Sequence, residues 1–191
     1  DMSNVLITGS SSGFGLLTAQ TFAQRGHRVF ATVRDLSTAS DLTAARDAGL
    51  LLKLHADELT SSGGAELAAS LGAVSADHLA AISDAGITAL SKAPTVATLL
   101  PGTMLFLGKT KHAPARRLIE AGVPIALATD FNPGTSPTPN LPLVLTLGVS
   151  QLRLSVAEVV LAATVNGAAA VGLADSVGQI ADGFSADLAL F

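Results

Sequence analysis

Short apolar runs alternate along the chain with segments whose apolar positions recur at helical spacing. Residues 4–8, 28–33, 50–55, 73–78, 95–100 and 124–129 read as strands buried on both faces of a parallel sheet. Between them, residues 13–25, 42–48, 64–71, 84–92 and 115–121 read as helices, and Gly26, Gly49 and Gly122 stand where left-handed caps close them. Such alternation with short connections predicts an α/β fold, a parallel sheet of about six right-handed βα units in one domain over residues 1–191. Residues 132–142 carry four of the eight prolines and read as a long rigid loop. A helix is expected near 142–150, and another is opened by Ser155 with Glu158 at capping-box spacing. Residues 179–180 and 186–191 read as two short strands about a turn at Asp182-Gly183.

Composition narrows the function classes. With 49% hydrophobic and 14% charged residues the chain can bury a core, which excludes disorder as its main state. No apolar run reaches the roughly 18 residues of a membrane span. The first apolar stretch is broken by Thr8, Gly9, Ser10, Ser11 and Ser12 and lacks the shape of a signal peptide, so a cytoplasmic location is the expectation, with Met2 as natural start and Asp1 a remnant. Fifteen Asp and Glu face 11 Lys and Arg, with no basic cluster beyond Arg116-Arg117, which argues against a nucleic-acid partner. A small molecule is the expected ligand. Without Cys there is no thiolate metal site or cysteine nucleophile, and without Tyr no phenolic acid.

Thr8-Gly9-Ser10-Ser11-Ser12-Gly13-Phe14-Gly15 lies between a predicted strand and a predicted helix. In that setting glycines let the backbone approach a pyrophosphate, and the helix N-terminus offers oriented N–H groups to it. The spacing resembles the Thr-Gly-x-x-x-Gly-x-Gly fingerprint of short-chain dehydrogenases/reductases over residues 3–35. That resemblance implies a Rossmann-like start and a cofactor site at Thr8, Gly9, Ser10, Ser11, Gly13 and Gly15. Arg34, at the end of the second strand, would suit the 2′-phosphate of NADP. The catalytic Tyr of that family has no counterpart here, so its carbonyl reduction is excluded.

Farther along, His55, His78 and Asp130 each fall at the C-terminal end of a predicted strand, the rim where βα enzymes keep catalytic groups. Two imidazoles and a carboxylate on one rim suit a divalent metal with an activated water. Lys53-Leu54-His55-Ala56-Asp57-Glu58, Ser75-Ala76-Asp77-His78, Leu100-Pro101-Gly102 and Ala128-Thr129-Asp130-Phe131-Asn132-Pro133-Gly134-Thr135 form an ordered series. From about residue 44 to 191 it resembles the imidazolonepropionases of the amidohydrolase superfamily. The resemblance implies half of a TIM-type barrel, with His55 and Asp130 as ligands of zinc or iron. Glu58 and His78 would be catalytic, near the attacking water and the ring of 4-imidazolone-5-propanoate. Asn132, Gly134 and Thr135 would hold that substrate. The superfamily's His-x-His pair is absent from the four histidines here, and His27 and His112 read as surface or loop polar residues.

Two resemblances in one chain imply a chimera, engineered or natural, with its seam between Leu36 and Ala48. Residues 1–36 would be a dinucleotide-binding-like β-α-β, and residues 37–191 an amidohydrolase half-barrel in an open or strongly curved sheet. The expected outcome is a scaffold without the full activity of either parent. The alternatives are a residual metal-dependent hydrolase or an NADP-binding module, and the tail strands offer an edge for homo-oligomer contact.

Overall fold

The computed structural model describes residues 4–7, 13–33, 46–47 and 49–189. Its strands are β1 (Asn4–Ile7), β2 (Arg28–Val33), β3 (Leu51–Ala56), β4 (Ser75–His78), β5 (Val96–Leu99) and β6 (Ile125–Leu127). All neighbours run parallel and follow chain order, with no β6–β1 pairing among the described residues, so the sheet is open. Helices α1 (Gly13–Gln24), α2 (Gly64–Leu71), α3 (Asp84–Leu90), α4 (Pro101–Phe106), α5 (Ala115–Glu120), α6 (Leu141–Ser150), α7 (Val156–Ala163) and α8 (Val165–Ala169) fill the connections and the C-terminal part. None is long and apolar enough to cross a membrane.

The pleat sorts the strand residues into two faces. Leu52, Leu54, Ala56, Ala97, Leu99, Ile125 and Leu127 join the main core with Ala65, Ala68 and Leu71 of α2, Leu90 of α3 and Leu118 of α5. The alternate residues Val96 and Ala126 form a second, small cluster with Ala170, where α8 ends against the opposite face. On that same face Lys53 Nζ donates to Ser75 Oγ and, at 2.9 Å, to the Ala170 carbonyl. Ser75 Oγ in turn donates to Asp77 Oδ1 at 2.7 Å, so the lysine charge stands 3.6 Å from a carboxylate that also holds a hydroxyl. A lysine is tolerated inside an apolar strand because its head is paired there.

Local chemistry sets the helix starts. Ser155 and Glu158 form the capping box, and the Arg116 guanidinium 2.6 Å from Glu158, with further bonds from Ser155, holds its carboxyl down at about 2. Ser83 Oγ caps α3 by accepting from the Gly86 amide. Proline opens α4 at Pro101, where its missing N–H costs nothing.

The structure corrects the sequence reading in three places. Residues 101–106, with Leu100 read as a strand end, make a helix, and a second unexpected helix is α8. Residues 179–180 and 186–189 form no strand: neither pairs with another strand among the described residues, and with Ile180 92% and Leu188 75% exposed a lone ribbon would bury no core. The expected helix at 42–48 lies largely outside the described residues.

Candidate active site at the strand rim

Parallel pairing puts the C-terminal strand ends on one rim, with Ala56 level with His78 and His55 level with Asp77. The backbone there is bent sharply. Asp57, His78, Leu79 and Asp130 have φ of 47°, 79°, 62° and 52°, left-handed values that cost a side-chain-bearing residue of order 1–3 kcal/mol each. Asp57 offsets its strain, since its buried carboxylate accepts from the Ser62, Gly64 and Ala65 amides at 2.7, 3.3 and 3.0 Å. It therefore ties the end of β3 to the start of α2. Gly64 is needed at that junction, because a Cβ there would stand 2.9 Å from the Ala56 Cα.

Three of the expected residues meet in a row. His55 Nδ1 lies 2.9 Å from His78 Nε2, and the rings are tilted 41° with centroids 4.9 Å apart. His78 is buried at 4% exposure, while its other nitrogen, Nδ1, has no hydrogen-bond partner and faces Glu58 Oε1 at 3.8 Å. Burial lowers the His78 pKa, opposed by the Glu58 carboxylate and reinforced by His55; Asp130 and Asp77 also favour its charged form. His55 is the exposed end of the row and Glu58 is half-buried.

Asp130 follows β6 on the same rim. Its Oδ2 accepts from Thr103 Oγ1 at 2.6 Å, and Thr103 is fully buried in the first turn of α4. Asn132 Nδ2 donates to the Asp130 carbonyl at 2.7 Å, and its Oδ1 accepts from the Gly134 and Thr135 amides, both at 2.8 Å. The amide of Asn132 thus serves the loop itself, closed by the Asn132–Ser136 bridge and by Ser136 Oγ on the Thr129 carbonyl. Gly134 lies exposed in that loop, and Thr135 is half-buried.

Sequence reasoning missed Thr103, whose helix it did not foresee: Pro101 suits a first helical position, but followed by Gly102 it reads equally as a turn. It also set His112 aside as a loop residue. The structure places His112 in the wall of a narrow, mostly apolar pocket beside His78, with Leu99, Leu100, Pro101 and Met104. Its Nδ1 is buried without a partner, and burial lowers its pKa.

The donor set decides whether this rim suits a metal. Imidazole and carboxylate are the right chemistry for zinc or iron. Yet among the described residues no group of three His, Asp or Glu side chains is placed to hold an ion. One nitrogen of His55 is directed at His78 and one oxygen of Asp130 at Thr103. The described residues by themselves do not fit a metal centre. Of the proposed dinucleotide contacts, Gly13 and Gly15 lie in the first turn of α1, while Thr8, Gly9, Ser10, Ser11 and Arg34 lie outside the described residues.

Known proteins share this sequence and this architecture. The model of the amidohydrolase family matches residues 35–191. The imidazolonepropionase of Bacillus velezensis is 51% identical over 150 residues, covering 78% of this chain and 36% of its own length. That of Geobacillus kaustophilus is 53% identical, covering 78% and 35%. The chain thus spans about a third of the length of the curated relatives it matches. Among solved structures, a zinc-bound adenosine deaminase from Xanthomonas campestris superposes with a TM-score of 0.75 at 19% identity, over 97% of this chain and 50% of its own. A variant of an atrazine chlorohydrolase from Arthrobacter aurescens, complexed with zinc and atraton, gives 0.72 at 16% identity over 96% and 52%. Coverage this full takes in the β1-α1-β2 opening, which lies before the family match, so the fold likeness extends beyond it. With its ordered parallel sheet, and with residues 35–191 matched, the chain belongs to the amidohydrolase family.

Proposed function

We propose that this chain carries one half of an imidazolonepropionase-type hydrolytic site, the half that handles protons and substrate, and that alone it is a scaffold without turnover. The observation that carries the reading is the row His55–His78–Glu58 at the rim where Asp130 is held by Thr103. In this reading His78 and Glu58 manage protons at the water and the ring of a cyclic amide-like substrate, 4-imidazolone-5-propanoate. Asn132, Gly134 and Thr135 shape the loop that receives it. His55 and Asp130 are the two donors this half would offer a zinc or iron ion, and the remaining donors come from elsewhere. The test is complementation: the purified chain with zinc is assayed for opening of 4-imidazolone-5-propanoate, alone and with the separately expressed N-terminal half of the Geobacillus kaustophilus relative. Hydrolysis only in the mixture supports the proposal. Hydrolysis by the chain alone overturns the scaffold reading, and none in either arm overturns the half-site.

A second reading concerns the opening unit. Strand β1 ends at Ile7 and helix α1 begins at Gly13, and this strand–helix order on either side of the glycine-rich sequence supports the reading of a dinucleotide fingerprint. On that basis the unit, joined as a chimera to the amidohydrolase part, binds NADP without reducing a carbonyl. NADPH fluorescence should rise on titration with the native protein and not with Gly13→Val. An equal response from both removes this reading.

A further inference from the structure

Strand β6 is an open edge of the sheet, since among the described residues it pairs with β5 alone. In a parallel ladder, alternate residues turn their N–H and C=O groups to opposite sides. The Ala97 amide donates to the Pro124 carbonyl at 2.9 Å and the Ala128 amide to the Leu99 carbonyl at 3.4 Å, so Pro124, Ala126 and Ala128 serve β5. The backbone groups of Ile125 and Leu127 therefore point outward, where a further strand would lie. Edges are commonly guarded by charges, by prolines that withhold a donor, or by a covering element. No charged residue occurs between Ala121 and Thr129, and Pro124 faces β5, so this edge lacks the first two guards.

The third guard comes from α8. Asn166 Nδ2 donates to the outward Ile125 carbonyl at 2.8 Å, from 41 positions farther along the chain. Helix stability does not account for an asparagine there: Asn166 and Gly167 both rank low as helix formers, α8 is only five residues long, and no side chain caps it. We propose that Asn166 is an edge guard, a side-chain amide standing in for the N–H of a next strand, and that it keeps β6 from pairing with a second copy of this chain. The edge itself selects that occupant. Its outward groups sit at Ile125 and Leu127, symmetric about Ala126. Two copies related by a two-fold axis at Ala126 then pair antiparallel, and each Ile125 exchanges both its bonds with the partner's Leu127. An uncharged strand meets no like charge in its own copy. A two-fold contact also closes on itself, so the unguarded chain stops at a dimer.

The test uses Asn166→Asp, nearly isosteric but unable at neutral pH to donate, and Asn166→Ser, too short to reach the carbonyl. Both are followed by sedimentation over a concentration series, with amide spectra to establish the fold. The native chain should sediment as a monomer, and each folded variant should dimerise at least about tenfold more tightly, the scale of one hydrogen bond. Because the chain has no Cys, a single introduced thiol reports where the copies meet. Ala126→Cys would face its counterpart as a non-hydrogen-bonded pair, with Cα atoms about 4.5 Å apart and within disulfide reach. Under mild oxidation it should cross-link with Asn166→Asp and not with native Asn166, whereas Thr88→Cys, exposed on α3, should cross-link in neither background. A dimer of the native chain through Ala126→Cys, folded variants that stay monomeric, or equal cross-linking from Thr88→Cys overturns the proposal. Loss of the fold in both variants overturns it too, since a guard, unlike a core residue, is not needed for folding. The readouts lie on the β6 edge and involve no turnover, so they stand apart from the hydrolytic reading.

Discussion

His78 is where burial and chemistry conflict most directly. Its native pKa is lowered, first by burial, against an unfolded value of 6.5. On acidification through that value the unfolded chain takes up its proton before the folded one does. Stability is therefore complete above pH 6.5 and falls as the pH drops toward the native value. His112, lowered by burial as well, adds in the same direction. Urea midpoints measured between about pH 8 and about pH 5 should fall, and less steeply in His78→Asn, which has no proton to take up. A parallel slope in that variant would assign the effect elsewhere. At this scale the sequence made His55, His78 and Asp130 legible because strand ends share a rim, whatever the tertiary detail. It could not show Thr103, whose bond to Asp130 joins positions 27 apart and depends on how a short helix docks.

Among the elements, the join between β3 and α2 is the tightest. Asp57 reads in the sequence as one acid among several after a strand, yet its buried carboxylate satisfies the amide ends that α2 leaves open. Asp57→Ala should cost about 2–3 kcal/mol in equilibrium unfolding, above an ordinary cap, since several amides lose their acceptor inside the protein. A loss below about 1 kcal/mol would mean water replaces it. Helix α2 itself was legible to the residue, as was the capping box at Ser155, because both depend on neighbours close in sequence. The tail strands were misjudged for the opposite reason. Alternation alone cannot supply a partner strand, and Ile180 and Leu188 stay in solvent.

For the molecule as a whole, the order of six parallel strands followed from doubly buried apolar runs, since each parallel neighbour has to be reached by a crossover connection, usually a helix. The polar row Lys53–Ser75–Asp77 was invisible in that reading, because its members become neighbours only through strand register. Lys53→Met should destabilise the fold by about 3 kcal/mol, as removal of one partner leaves Asp77 buried beside a hydroxyl alone. Amide exchange should quicken around residues 165–173 in the same variant, where the carbonyl of Ala170 loses its donor. Unchanged exchange there would show that the apolar cluster holds α8 without the lysine.

The reach of that one ammonium has a temporal side. It bridges positions 117 apart in the chain. During synthesis the Lys53 ammonium on β3 lacks this carbonyl until the segment that ends α8 has left the ribosome. A nascent chain stalled short of Ala170 lacks the carbonyl that completes this ionic row.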